Sequence, residues 1–97
     1  MIEQTGDGLR VSVPMVIANA RALLEAGRRF LSAAPRSGEV LIDLSTVEEA
    51  DSSALTLVFA WLRSARERDI KLCIVHPPAS MTSLAELYGV VDFLPLA

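Results

Sequence analysis

Residues Glu48 to Ala65, EEADSSALTLVFAWLRSA, change character at Asp51-Ser52-Ser53. Before that point the chain is acidic and turn-like. After it, Leu55, Val58, Phe59, Leu62 and Ala65 recur at the spacing of one helical face, while Arg63, Arg66 and Glu67 fall away from it. This pattern predicts an amphipathic helix from Ser53 to about Arg68. Aspartate and serine suit its start, because their oxygens accept hydrogen bonds from the amides that a first turn leaves unpaired.

On either side of this helix lie two apolar runs. EVLIDLS (39–45) has a continuous apolar centre, Val40 to Ile42, which predicts a central strand buried on both faces. IKLCIV (70–75) repeats the pattern, and His76-Pro77-Pro78 stops it. Further upstream, TGDGLRVSV predicts a turn at Gly6 to Gly8 and a strand from Leu9 to Val13, with Leu9, Val11 and Val13 on one face and Pro14 ending it. From Met15 to Ser32 the residues Val16, Ala20, Leu23, Leu24, Phe30 and Leu31 mark a second helix, with Gly27 as its weak point, where it either continues or breaks. PRSG (35–38) is a turn. Ser80 to Tyr88 predicts a third helix closed by Gly89 in the left-handed position, and VVDFLPL (90–96) a last short edge strand. Strands alternating with helices define an α/β sandwich, a single domain over 1–97 with a small, mostly parallel sheet covered by about three to four helices.

Ninety-seven residues, 52% apolar and 22% charged, describe a packed globule with one core. No apolar run approaches the ~20 residues that span a bilayer. The start, MIEQTGDG, carries acids where a secretory signal has a basic and then an apolar region, so the expected location is the cytoplasm. Net charge is −3, and the nine basic residues do not make a basic domain, so nucleic acid is not an expected partner.

Catalytic constellations are missing. The one histidine, His76, has no pattern linking it to a nucleophile and an orienting carboxylate. The one cysteine, Cys73, lies within an apolar run and reads as a core thiol. Gly6 and Gly8 precede a strand instead of joining a strand to a helix, unlike a phosphate-cradling loop. Asp43, Glu48, Glu49 and Asp51 do not have calcium-loop spacing. Trp61 and Phe59 fall within the long helix, where they serve the core or a partner face. No catalytic residue, cofactor or metal ligand is assigned, and the chain is not expected to be an enzyme.

What remains is the junction. Capping accounts for one residue of Asp51-Ser52-Ser53 and does not require two hydroxyls. A helix start also accommodates a phosphate on a first-turn serine, and nearly two added charges would change how that surface meets a partner.

The strand VLIDLS, the spacer TVEEA, the DSS-x-L junction and the helix after it together resemble the STAS domain, the fold of the bacterial anti-sigma-factor antagonists. In that family the hydroxyl residue directly after the aspartate is phosphorylated by a partner anti-sigma kinase, and Ser52 stands at the matching position. Ala54 replaces the glycine usual in the antagonists, and VSVPMVIANARALLEAG lacks their glycine-acid-leucine-aspartate opening. VFAWLRSA and LAELYGVVDFLP are closer to the MlaB-type members, STAS subunits of the Mla phospholipid ABC transporter at the inner membrane of Gram-negative bacteria. That resemblance implies a small cytoplasmic accessory subunit, held at the membrane through the complex, that binds the transporter ATPase. Ser52 would lie at the interface, Asp51 would fix the turn, Ser53 would assist as a cap, and Arg63 and Arg66 are candidates for further contact.

Overall fold

The computed structural model describes residues Met1–Ala97. Its elements are β1 (Ile2–Gln4), β2 (Gly8–Val11), α1 (Ile17–Ala33), β3 (Glu39–Asp43), α2 (Ser52–Glu67), β4 (Lys71–Val75) and α3 (Ala79–Leu87), followed by a 3₁₀ turn at Val91–Phe93. The four strands form one sheet in the order β1-β2-β3-β4. β2, β3 and β4 are parallel, and β1 is antiparallel to β2.

The chain order explains the layering. Each parallel step, β2 to β3 and β3 to β4, needs a crossover, and crossovers of one hand stepping in one direction place their helices on one face. Helices α1 and α2 accordingly pack side by side, and α3 packs against α2. Leu9, Val11, Val40, Ile42, Leu72 and Ile74 project from the sheet into this helical layer and are buried.

The opposite face stays open, which corrects the expectation that the central strand is buried on both sides. Arg10, Leu41, Asp43, Cys73 and Val75 are only half-buried there. Cys73 is likewise outside the core, despite its apolar neighbours in sequence. An unbroken apolar run does not separate these cases, because Leu41 and Cys73 alternate with the core residues on either side of them.

Two ends also differ from the sequence reading. Ile2–Gln4 forms a strand, paired Ile2 to Val11 and Gln4 to Leu9, that its polar composition conceals. VVDFLPL is a 3₁₀ turn with a single parallel bridge from Leu96 to Ile74 in place of an edge strand. Gly89 takes φ of +69° after α3, as expected for a residue without a Cβ.

Helix α1 runs unbroken through Gly27. This glycine is buried, and a Cβ there would lie 2.1 Å from Nε1 of Trp61. Trp61 itself is fully buried, and its indole N–H donates to the Leu24 carbonyl at 3.4 Å. The missing side chain is thus the socket for the largest side chain in the core, which places Trp61 in the core and off the exposed surface of α2.

Glycine normally weakens a helix, so Gly27→Ala should stabilise the protein by up to about 1 kcal/mol if only propensity counted. Overpacking against Trp61 costs about 1–3 kcal/mol and reverses the sign. Urea unfolding of Gly27→Ala is expected to show a net loss, and Gly27→Ala combined with Trp61→Phe is expected to lose less than the two single changes summed.

Candidate functional site

The loop between β3 and α2 is fixed at several points before it delivers Asp51. Leu44 and Val47 are buried, Leu44 N–H donates to the Val75 carbonyl at 3.0 Å, and Thr46 Oγ1 donates to the Val11 carbonyl at 2.7 Å. Asp43 accepts from the Ser45 amide at 2.8 Å and from Arg10 Nε at 3.2 Å. These contacts, with the Ser45 amide foremost, hold the Asp43 carboxyl below its usual range. At the end of the loop, a short parallel bridge joins it to the chain entering α1. Met15 N–H donates to the Glu49 carbonyl at 2.9 Å, and Asp51 N–H to the Met15 carbonyl at 3.2 Å.

That bridge brings the starts of α1 and α2 together, and one carboxylate serves both. Asp51 is the N-cap of α2, where Oδ1 accepts from the Ser53 amide at 2.8 Å and from the Ser53 hydroxyl. Its Oδ2 accepts at 3.0 Å from the amide of Ile17, the first residue of α1. α1 has no side-chain cap of its own from Val16, so Asp51 supplies one from 34 residues away. The Ser53 hydroxyl, then the Ile17 amide, lower the pKa of Asp51, because each donates to the ionised form.

The two serines therefore separate. Ser53 turns its hydroxyl back onto Asp51, acting as a donor to the cap and not as a cap itself. Ser52, one residue earlier on the first turn of α2, is exposed and lies outside this network. Across the junction, Ile17, whose amide meets Asp51, has its side chain 74% exposed and lines a groove with Ser53. Below Ile17 and Ser53 a groove of about 400 Å³ runs between the helices, lined by Ala20, Leu24, Thr56 and Leu57 among others.

Arg63 and Arg66 do not join Asp51, Ser52 and Ser53. They lie near the far end of α2, exposed, on a separate groove with Phe59, Leu62 and Phe93. Ser52 and Arg63 are eleven residues apart, three turns, so they share one side of the helix at about 17 Å separation. His76 and Cys73 belong to neither group, and no cluster of three or more His, Cys, Asp or Glu side chains is placed to hold a metal ion. Ile17 was not legible as a site residue. Its apolar side chain gives no signal until the loop bridge sets its amide on Asp51 and its side chain in a groove with Ser53.

A four-stranded mixed sheet with its helices on one face and a capped serine junction at a helix start defines a domain of the STAS class. The chain belongs to the family of MlaB-type STAS domains, whose model matches residues 2–95. No curated protein sequence matches it significantly. Among solved structures, it is similar to a protein described as an anti-sigma factor antagonist from Thermotoga maritima, with 18% identity, a TM-score of 0.76 and coverage of 99% of this chain and 83% of the other. An anti-sigma-factor antagonist (STAS) domain protein from Planctomyces limnophilus is similar at 15% identity, with a TM-score of 0.76 and coverage of 99% and 86%. At these identities the likeness establishes the fold.

The depressed pKa of Asp51 sets a sign for acid stability. A carboxyl whose folded pKa lies below its unfolded value of about 3.8 contributes stability above that pH and loses it as pH falls through the folded value. Asparagine also caps helices but does not ionise. Asp51→Asn is therefore expected to show a smaller drop in urea midpoint between neutral pH and pH below 3.8 than the parent chain, with the Asp43 contribution remaining. Asp51→Ala is expected to be the less stable variant at neutral pH.

Proposed function

We propose that the protein is a non-enzymatic accessory subunit that binds the ATPase of a phospholipid-trafficking ABC transporter and supports its assembly and activity. The observation that carries this reading is the exposed Ser52 hydroxyl on the first turn of α2, at a junction where Asp51 also holds the start of α1 with its exposed Ile17, in a chain that matches the MlaB-type family model. Ser52 and Ile17 supply the contact. Asp51 and Ser53 hold the backbone of that contact in shape, since their polar atoms are already committed to each other and to α1. Arg63 and Arg66 extend the docking face along the same side of α2.

Nothing in this role requires bond chemistry from the chain. It acts by shape and charge at an interface, the kind of work an apolar residue flanked by small hydroxyls performs when a partner surface closes over it. No helix is long and apolar enough to cross a membrane. As a subunit bound to the transporter ATPase, the protein would act in the cytoplasm and meet the inner membrane through that complex.

A second reading is favoured by the same free hydroxyl and by the descriptions of the similar solved structures: an antagonist that binds an anti-sigma kinase and is switched by phosphorylation of Ser52. A phosphate there would lie at the positive end of α2 and add nearly two charges to that surface. Either partner would be repelled from that face if it meets it with apolar or acidic groups.

The readings separate in a pull-down of tagged protein from its native host, with mass spectrometry of partners and of Ser52. The transporter reading expects an ABC ATPase with unmodified wild-type protein, recovery reduced roughly tenfold by Ser52→Asp or Ile17→Glu, and a smaller reduction for Ser52→Ala, which removes the hydroxyl contact without adding charge. A kinase recovered together with Ser52-phosphorylated protein decides for the switch. Neither protein recovered, at wild-type abundance of the bait, overturns both.

A further inference from the structure

The largest groove of the molecule, about 600 Å³, lies between the second half of α2 and the segment after α3. Phe59 and Leu62 form its floor with Leu94, while Arg63, Arg66 and Phe93 stand at its rim. Phe93 is 68% exposed, one of the few large apolar side chains, with Ile17, Leu87 and Tyr88, that are more than half exposed. Arg63 and Arg66 take no part in the two ion pairs of the structure, Arg10–Asp43 and Arg21–Glu25. In a chain of net charge −3, the groove sets two guanidinium groups against the single carboxylate of Asp92.

We propose that this groove binds an extended segment of a protein partner that carries carboxylates next to an apolar or aromatic side chain. The proposal rests on the docking reading above in one respect: the segment is part of the protein that meets Ser52. Arg63 and Arg66, three residues apart, face the same way, and each guanidinium fork fits a carboxylate bidentately. Phe93 and Phe59 accept the apolar side chain between them, and aromatic residues also lie well against arginine. From Phe59 to Arg66 the helix rises about 10 Å, the length of three extended residues. A concave trough of this length suits a chain segment. An anionic bilayer would instead need a broad basic surface, and this chain is acidic, with Asp92 in the groove itself.

Binding at this end and at Ser52, about 17 Å away on the same side of α2, would be mutually reinforcing, because the first contact raises the effective concentration of the second. The arginine groove then acts as a second anchor that selects partners by charge.

The test uses the full chain without any partner. Displayed random twelve-residue peptides are selected on it, and those enriched are synthesised with a fluorescein label and measured by fluorescence anisotropy. The expected result is enrichment of Asp or Glu beside Leu or Phe, binding that weakens with salt, and a loss of roughly tenfold or more with Arg63→Glu plus Arg66→Glu or with Phe93→Ser. Chemical-shift changes on peptide addition are expected at Phe59, Leu62 and Phe93. Thermal unfolding confirms that these exposed substitutions leave the fold intact, and Arg28→Glu plus Arg29→Glu, at two exposed positions outside the groove, controls for net charge. Peptides without acids, acidic peptides indifferent to the double arginine change, or failure to select any peptide would overturn the proposal. So would binding of phosphatidylglycerol vesicles, lost with the same variant, in the absence of peptide binding. Because no ATPase is present, failure here leaves the Ser52 docking reading standing, and failure of the pull-down leaves a positive peptide result standing.

Discussion

Trp61 lies on the bare backbone of Gly27, and the rest of the helical layer depends on that contact. A side chain of any size on Gly27 would push α1 away from α2. With the two helices held close, their buried faces meet the sheet as one surface, and a core of Leu, Val, Ile and Met closes between them. The contact also sets where the helices begin relative to each other. The chain entering α1 meets the chain entering α2, and the Met15–Ala50 bridge forms between them.

From that bridge the character of the candidate site follows. Both helix starts present unpaired amides at one place, and a single carboxylate, Asp51, satisfies donors from each. The Ser53 hydroxyl turns inward to the same carboxylate. Ser52 is then left as the free hydroxyl of the junction, at the end of a helix whose dipole favours negative charge near it. Two serines after an acid thus have two tasks: one completes the cap, and the other faces whatever approaches.

The one-sided sheet gives the domain its polarity. Two crossovers of the same hand leave the opposite face with Arg10, Asp43, Leu41 and Cys73 half-exposed, while the helical side carries both grooves that flank α2. Helix α2 is therefore at once the most buried helix, through Ala54, Leu55, Val58 and Trp61, and one whose outer side runs through exposed Ser52, Thr56, Arg63 and Arg66 with half-buried Phe59 between them. Fold likeness to antagonist proteins does not choose among functions, since one fold carries many sites. The surface chemistry along this outer side has to make that choice.

The sequence alone determined the elements whose patterns are local. The helical stripe after Asp51, the apolar strand centres and the left-handed Gly89 were all legible, because each depends on residues a few positions apart. The aspartate-serine junction was legible as a cap for the same reason. The tertiary structure decided what depends on distant partners. β1 is a strand only because β2 lies beside it, and Leu41 and Cys73 are half-exposed only because both crossovers fall on the other face. Gly27 looked like a weakness until Trp61, 34 residues on, occupied the space it leaves. Ile17 joined the site, and Arg63 with Arg66 left it for another groove, because packing of whole helices, and not spacing along the chain, sets which side chains become neighbours.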